Sequence, residues 1–284
     1  MTEPHRWEVP SAPLPLAVLQ TEAIPGDLLG NARRAAGMVS RAARRGARVA
    51  VLPELHLCGY DLPTLQADPE GCEITTEVAG AVTDPRLEPL VEEAVRSRTA
   101  VLVGAAVRRL DGALVNCLLA VEPPGTVSVV YEKRHLWHAD ESRIFTAGTG
   151  GDGLLEVGGW RLGLAICYDM SFAAHAGAAA LSGAHAYLCP SAFVVGAERR
   201  AAVYMPARAL ENTVYSVYAN AVGGPADRPA GGASAVYAPD GRLVGGAGTE
   251  GEEIVVSELD PERIAQVRGF LHMLAERASA AEAV

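Results

Sequence analysis

From Leu16 to about residue 220 the chain alternates short apolar runs with longer amphipathic stretches. That alternation leaves few folds open. Apolar runs of about four to eight residues are buried strands, and the helical stretches between them cover the sheet. Residues 16–20 read as the first strand. Leu28, Ala32, Ala35, Val39 and Ala42 then share one face of a helix that Gly46 ends, and residues 48–52 form a buried strand. Asp84 as N-cap and Pro85 at the first position open a helix that runs to about residue 98. Residues 100–107, 115–121 and 126–132 read as strands, with Asp111-Gly112 turning between the first two. A hairpin over residues 154–157 and 161–166 crosses Gly158-Gly159. An Ala-rich helix (173–181), a strand (186–189), a long helix (199–212) and a strand (214–219) follow. Residues 233–237, 242–244 and 253–257 read as a final antiparallel set with a turn at Pro239-Asp240-Gly241. The expected organisation is a loose extension over residues 1–14, one domain over 15–260, and a helix with a polar tail over 261–284.

Composition narrows the function. The 284 residues are 49% hydrophobic and 20% charged, which supports a large packed core. Lys and Arg number 24 against 34 Asp and Glu, a net charge of −10. An acidic chain lacks the basic surface that a general nucleic-acid binder needs. No apolar run reaches the roughly 18–20 residues of a membrane span, and the polar, Pro-rich start has no apolar leader segment. Five cysteines, an odd number without C-x-x-C spacing, point to free thiols in a reducing cytoplasm, with no metal site or cofactor expected.

Three predicted strands end in reactive groups: Leu52-Pro53-Glu54, Tyr131-Glu132-Lys133-Arg134-His135-Leu136, and Ile166-Cys167-Tyr168-Asp169. Taken singly, each also fits a structural role: a solvated loop acid, a charged strand end, a buried thiol. Cys167 stands at a strand-to-helix junction, where helix N–H groups and the dipole are expected to favour thiolate. Taken together, the three form a minimum set for attack on a carbonyl. The thiol is the nucleophile, the carboxylate takes its proton, and the cation meets the developing oxyanion. The histidines, including His135, His138 and His175, do not stand in the setting of a Cys–His pair.

These segments resemble, in order and wide spacing, the three signature blocks of the nitrilase superfamily of carbon–nitrogen hydrolases. Secondary blocks agree. Residues 141–148 resemble the segment carrying the family's second glutamate, here Glu141. Residues 207–212 resemble its Arg-Ala-x-Glu-Asn helix, followed by Asn220, and residues 231–241 its Gly-x-Ser … Pro-x-Gly stretch. The resemblance covers roughly residues 15–260. It implies a single-domain, four-layer α-β-β-α sandwich that forms a homodimer or higher homo-oligomer, with the helix after Cys167 and the C-terminal segment as interface. It implies Glu54 as general base, Cys167 as nucleophile, Lys133 and the Tyr168 N–H at the oxyanion, and Glu141 positioning Lys133 and the substrate amide. Tyr60, Tyr168, Ala192 and Phe193 are the expected substrate-binding residues. Two departures stand out. Many relatives continue Cys-Tyr-Asp with Arg-Phe-Pro-Glu, where this chain reads Met170-Ser171-Phe172-Ala173-Ala174. The tryptophan that often opens the later helix is replaced by Arg199-Arg200-Ala201. The expected substrate is a small non-peptide amide, such as the ω-amino amides 5-aminopentanamide or 4-aminobutanamide, cleaved through a thioester. The alternatives are an N-carbamoyl amine hydrolase and a non-catalytic binding member of the same fold.

Overall fold

The computed structural model describes residues 7–76, 80–150 and 153–282. The first half of the chain supplies β1 (Leu14–Gln20), β2 (Val49–Val51), β3 (Glu73–Thr75), β4 (Ala100–Arg108), β5 (Leu114–Val121) and β6 (Val127–Glu132). The second half supplies β7 (Leu154–Val157), β8 (Trp160–Leu164), β9 (Ala186–Ser191), β10 (Tyr215–Asn220), β11 (Val222–Gly223), β12 (Ala230–Gly231), β13 (Ala235–Tyr237), β14 (Leu243–Gly246) and β15 (Glu253–Leu259). They build two large sheets, β15-β1-β2-β4-β5-β6 (with β3 alongside β4) and β14-β13-β10-β9-β8-β7. In each the central strands run parallel, β1-β2-β4 and β8-β9-β10, and antiparallel strands flank them.

Side-chain alternation along the strands creates three apolar layers. On β1, Ala17 and Leu19 face the helices Leu28–Arg44 and Glu88–Ser97, and pack with Leu28, Ala35, Met38 and Leu90. Leu16 and Val18 face the other way and meet Leu162, Leu164, Leu188 and Val217 of the second sheet. On the far side of that sheet, Tyr187, Cys189 and Tyr218 pack on Ala176, Ala180, Ala201 and Met205 of the helices Ala173–Leu181 and Glu198–Asn212. This is the expected α-β-β-α sandwich.

Three local expectations are corrected. The last antiparallel set divides: β13 and β14 extend the second sheet, whereas β15 crosses to pair with β1 in the first, from Leu14↔Leu259 to Gln20↔Glu253. A buried β1 without that neighbour would leave a row of backbone groups unpaired at its edge. The stretch expected as a loose extension is tied down within its described part. Trp160 Nε1 donates to Ala12 O at 2.9 Å and Arg268 Nη1 to Trp7 O at 3.3 Å. Residues 1–6 and 283–284 of the expected extension and tail lie outside the described residues. The C-terminal stretch forms two helices, Pro261–Phe270 and Met273–Glu282, and the first buries Ile264 in the layer between the sheets.

Leu188 is fully buried between the sheets, and Leu243 on the edge strand β14 is 61% exposed. Leu188→Ala is expected to lower unfolding stability by about 2–5 kcal/mol and Leu243→Ala by no more than about 0.5 kcal/mol, read from urea midpoints. Equal shifts would show that this layer is not the one that holds the sheets together.

Candidate active site

Glu54 follows β2. Pro53 has no N–H to donate, so regular pairing stops, and Leu55 turns the chain in a left-handed conformation, φ 49°. The loop lies flat on Gly104 of β4: Gly104 N donates to Pro53 O at 3.2 Å, and Leu57 N to Gly104 O at 3.0 Å. A methyl group at position 104 would sit 2.5 Å from the Pro53 oxygen and 2.7 Å from the Glu54 carbonyl carbon. Only glycine permits this approach.

Lys133 is the residue after β6, held through its backbone by Asn116 O at 2.8 Å. Its side chain is wholly buried. The ammonium donates to Glu54 Oε1 at 2.7 Å and to the Glu141 carboxylate at 2.8 Å. Glu141 comes from the short helix His138–Ser142 and also accepts from Tyr60 OH at 2.6 Å and Trp137 N at 2.7 Å. Asn116 Nδ2 gives Glu54 Oε1 a second donor at 2.8 Å. Glu54 Oε2 is buried with no hydrogen-bond partner among the described residues. Burial pulls the lysine toward neutrality, but the charges of Glu54, Cys167 and Glu141 outweigh it and hold Lys133 above the ordinary lysine range. For Glu54, burial wins over the lysine, and its carboxyl is pushed up, with the Glu141 charge adding to the shift.

Cys167 lies beyond the end of β8, at φ 48°, and opens a single 3₁₀ turn, Cys167–Ser171. It is the one cysteine of the five that is not fully buried. The expected thiolate-favouring helix end is absent here, because the α-helix begins only at Ala173. Burial and the Glu54 charge push the thiol well up, against the opposing effects of Lys133 and a hydrogen bond from the Ala192 backbone.

Asp169 fastens this turn to the lysine strand. Oδ2 accepts from Ile166 N at 3.0 Å and Tyr131 OH at 2.7 Å, and Oδ1 from His135 N at 2.9 Å, with His135 Nδ1 at 2.7 Å. Burial alone would raise this carboxyl, yet the His135 hydrogen bond, the nearby His175 and the other donors hold it below its ordinary range. Tyr131 and His135 bracket Lys133, so one carboxylate sets the Cys167 turn against the cation. Behind it, Arg208 of the Arg-Ala-x-Glu-Asn helix donates to Met170 O at 2.9 Å and Ser171 O at 3.3 Å. Asn220 holds the next loop, accepting from Phe193 N at 2.8 Å and donating to Phe193 O at 3.1 Å.

Cys167 lines a cavity of about 280 Å³ together with Tyr60, Tyr168, Ala192 and Phe193, so all four expected substrate-binding residues face it. Its size is near the low end of the roughly 300–1,000 Å³ typical of ligand pockets. Trp137 and Arg200 also line it and were not singled out from the sequence as binding residues, nor was Asn116. A lone amide inside the apolar run of β5 was the available signal, since a buried polar group requires a partner.

The carbon-nitrogen hydrolase family model matches residues 15–269. The chain is a carbon–nitrogen hydrolase of the nitrilase superfamily. Its relatives include a hydrolase from the pqqF 5′ region of Pseudomonas protegens, 32% identical over 92% of this chain and 88% of that one. Another is the human omega-amidase, 30% identical over 94% and 95%. Among solved structures, a Saccharomyces cerevisiae member of branch 10 of the nitrilase superfamily superposes with a TM-score of 0.82 at 25% identity, covering 93% of this chain and 96% of that one. An amidase from Nesterenkonia, solved in complex with butyramide, superposes at 0.76 with 26% identity, covering 93% and 98%. The same amidase has been solved with acrylamide added to its active-site cysteine. This carbon–nitrogen hydrolase is an amidase acting on C–N bonds, and no helix among its described residues is long and apolar enough to cross a membrane.

The Gly104 contact yields a test. Gly104→Ala must displace the Glu54 loop and is expected to lower kcat/KM about 10- to 100-fold, the scale of an ångström-level misplacement. Gly150→Ala, where an added methyl meets nothing within 4 Å, serves as control. Ammonia release from a small amide is the readout, and equal activity of both variants would break the link between Gly104 and the Glu54 geometry.

Proposed function

We propose that this amidase cleaves a small non-peptide amide through a thioester on Cys167. The observation that carries the reading is Glu54 Oε2, which has no hydrogen-bond partner among the described residues, whereas the other carboxylate oxygens of the cluster are engaged by Lys133, Asn116, Tyr60 and the Trp137 N–H. As the Cys167 sulfur bonds to the amide carbon, its proton passes to Glu54 Oε2 and the carbonyl electron pair moves onto oxygen. Lys133 and the Tyr168 N–H receive that oxyanion, and donors of this kind are worth about 3–4 kcal/mol each. The C–N bond then breaks as Glu54 returns the proton to nitrogen, leaving the thioester. Water, deprotonated by Glu54, attacks the thioester. The C–S bond then breaks, Glu54 returns the proton to sulfur, and the product leaves as the carboxylic acid, which ionises in water. Glu141 keeps Lys133 aimed.

The ω-amino amides expected from the sequence and the N-carbamoyl amines both fit this chemistry. The second class releases ammonia and carbon dioxide. The expected self-association, through the helix after Cys167 and the C-terminal segment, finds support in Phe270, which is 85% exposed at the end of the Pro261–Phe270 helix.

Ammonia release from a panel of ω-amino amides, simple aliphatic amides, N-carbamoyl amines and nitriles tests the reading. Turnover of one class, abolished in Cys167→Ala with the fold intact, is the expected result. Near-wild-type turnover by that variant would remove Cys167 from the chemistry. The alternative of a non-catalytic member of the fold predicts no turnover anywhere and no selective alkylation of Cys167 by iodoacetamide.

The pH profile gives a second check. A base works only when deprotonated, so activity is present above the Glu54 pKa and lost as pH falls through it. With that pKa raised by burial, the acid limb of kcat/KM is expected above the roughly 4.3 of a free glutamate. Removing the Asn116 hydrogen bond, which favours the carboxylate, should move the limb further up in Asn116→Leu. A limb that stays put in that variant would assign it to another group.

A further inference from the structure

Three histidines are buried among the described residues, His56, His175 and His185. His56 has no ring partner among those residues. His185 is held by backbone groups, Arg161 N at 3.0 Å and Glu8 O at 2.9 Å. His175 is different. It stands on the Ala173–Leu181 helix, directly after the stretch in which this chain departs from many relatives. Its Nε2 lies 2.8 Å from Tyr131 OH, and its Nδ1 lies 3.0 Å from Tyr187 OH. Tyr131 OH in turn reaches Asp169 Oδ2 at 2.7 Å. Side chains from β9, the helix, β6 and the Cys167 turn thus form one chain, Tyr187–His175–Tyr131–Asp169, which runs from the second sheet to the first.

The protons in this chain have one consistent arrangement. The donors around Asp169 favour its carboxylate form, and a carboxylate only accepts. The single Tyr131 hydroxyl proton therefore goes to Asp169 Oδ2, and the Tyr131 oxygen faces His175 as an acceptor. Nε2 must then carry a hydrogen. Burial holds His175 below its ordinary range, so the ring is neutral near pH 7 and Nδ1 is bare. Tyr187 OH donates to that nitrogen. Each group fixes the next. The last of them, Asp169, holds Ile166 N just before Cys167 and His135 N just beyond Lys133.

Resting on the amidase reading above, we propose that His175 is a positioning residue for the reaction: its Nε2–H holds the Tyr131 hydroxyl on Asp169, and through Asp169 it holds the Cys167 turn in place against Lys133. His175 does not line the cavity, so its effect passes through Tyr131 and Asp169. Without the Nε2 donor, the Tyr131 hydroxyl is free to turn away from Asp169, and the carboxylate loses a donor at a site where burial already presses it toward protonation. An apolar side chain at this position also leaves two buried tyrosine oxygens short of a partner.

The test separates positioning from packing. His175→Leu is expected to lower kcat for a small amide about 10- to 100-fold, the scale of a displaced reacting group, with KM within about threefold of the wild type. His175→Gln places an amide N–H where Nε2 stood and should hold kcat within about fivefold of the wild type. His185→Leu, at a buried histidine outside this chain, should lower Tm while kcat stays near the wild-type value. A wild-type kcat in His175→Leu, a loss confined to KM, or a Gln variant that falls outside its range overturns the proposal. Wild-type turnover that disappears in Cys167→Ala, measured alongside, keeps the amidase reading standing in each of those cases. A second readout needs no catalysis and holds even where His175→Leu fails to fold. Long-range nitrogen–proton NMR spectra of the wild-type protein near neutral pH should show His175 protonated at Nε2 and bare at Nδ1, and a ring protonated at Nδ1 overturns the proposal. If no amide is turned over, the amidase reading on these substrates fails, and the tautomer decides the hydrogen-bond chain on its own.

Discussion

The Lys133 ammonium has no contact with solvent and lies between two carboxylates that have none either. Buried charges are tolerated only when their partners are in place; removing one partner from such a group commonly costs about 3–5 kcal/mol. Glu54, Lys133 and Glu141 come from three separate segments, so the cluster is stable only in the folded arrangement that joins them. Asn116, Tyr60 and the Trp137 N–H satisfy most of the remaining carboxylate oxygens. The exception is Glu54 Oε2. Most buried polar atoms of a folded protein are paired, and in this cluster Glu54 Oε2 and the amide oxygen of Asn116 lack a partner among the described residues, which marks where a proton or a ligand is meant to arrive.

The two sheets supply this arrangement because the ends of β2, β6 and β8 meet at one rim of the sandwich. Each strand stops for a local reason. Pro53 breaks pairing after β2, Leu55 and Cys167 take left-handed backbone conformations that non-glycine residues seldom adopt, and Asp169 ties the Cys167 turn back to the lysine strand. Strain of this type persists only where surrounding contacts over-determine it. Here the surroundings are Gly104 under the glutamate loop, and Arg208 and Asn220 behind the cysteine turn and the Phe193 loop.

Period-two and period-3.6 patterns made nearly all the strands and the long helices legible, and Leu28, Ala32, Ala35, Val39 and Ala42 do line the buried face of their helix. Glu54, Lys133, Cys167 and Glu141 were legible as strand-end groups or by family resemblance, and the fold brings them together. What stayed hidden depends on contacts between distant segments. Nothing in residues 253–257 says which sheet they join, because both hairpin extension and crossover satisfy the same alternation. Asn116 reads as an interruption of an apolar strand until Glu54 is placed beside it. The acidity of Cys167 was misjudged for the same reason. A strand-to-helix junction promises a dipole, but burial and a facing carboxylate are tertiary facts, and here they dominate.

That reversal bears on the chemistry. A thiol pushed up and a base pushed up by the same burial need not be a handicap, since the proposed step moves a proton between them and leaves the net charge of the cluster unchanged. The penalty for burying one anion is exchanged for the penalty for burying another a short distance away, and Lys133 faces both. A free thiolate would require an extra uncompensated charge beside Glu54 and Glu141. Under the proposed mechanism the site therefore favours a resting thiol that loses its proton only as sulfur bonds to carbon, when the new negative charge has already moved to the carbonyl oxygen. In the proposed mechanism the lysine is thus the fixed element around which the charge travels, from carboxylate to sulfur to oxyanion, and its double ion pair is what keeps it in position at each stage.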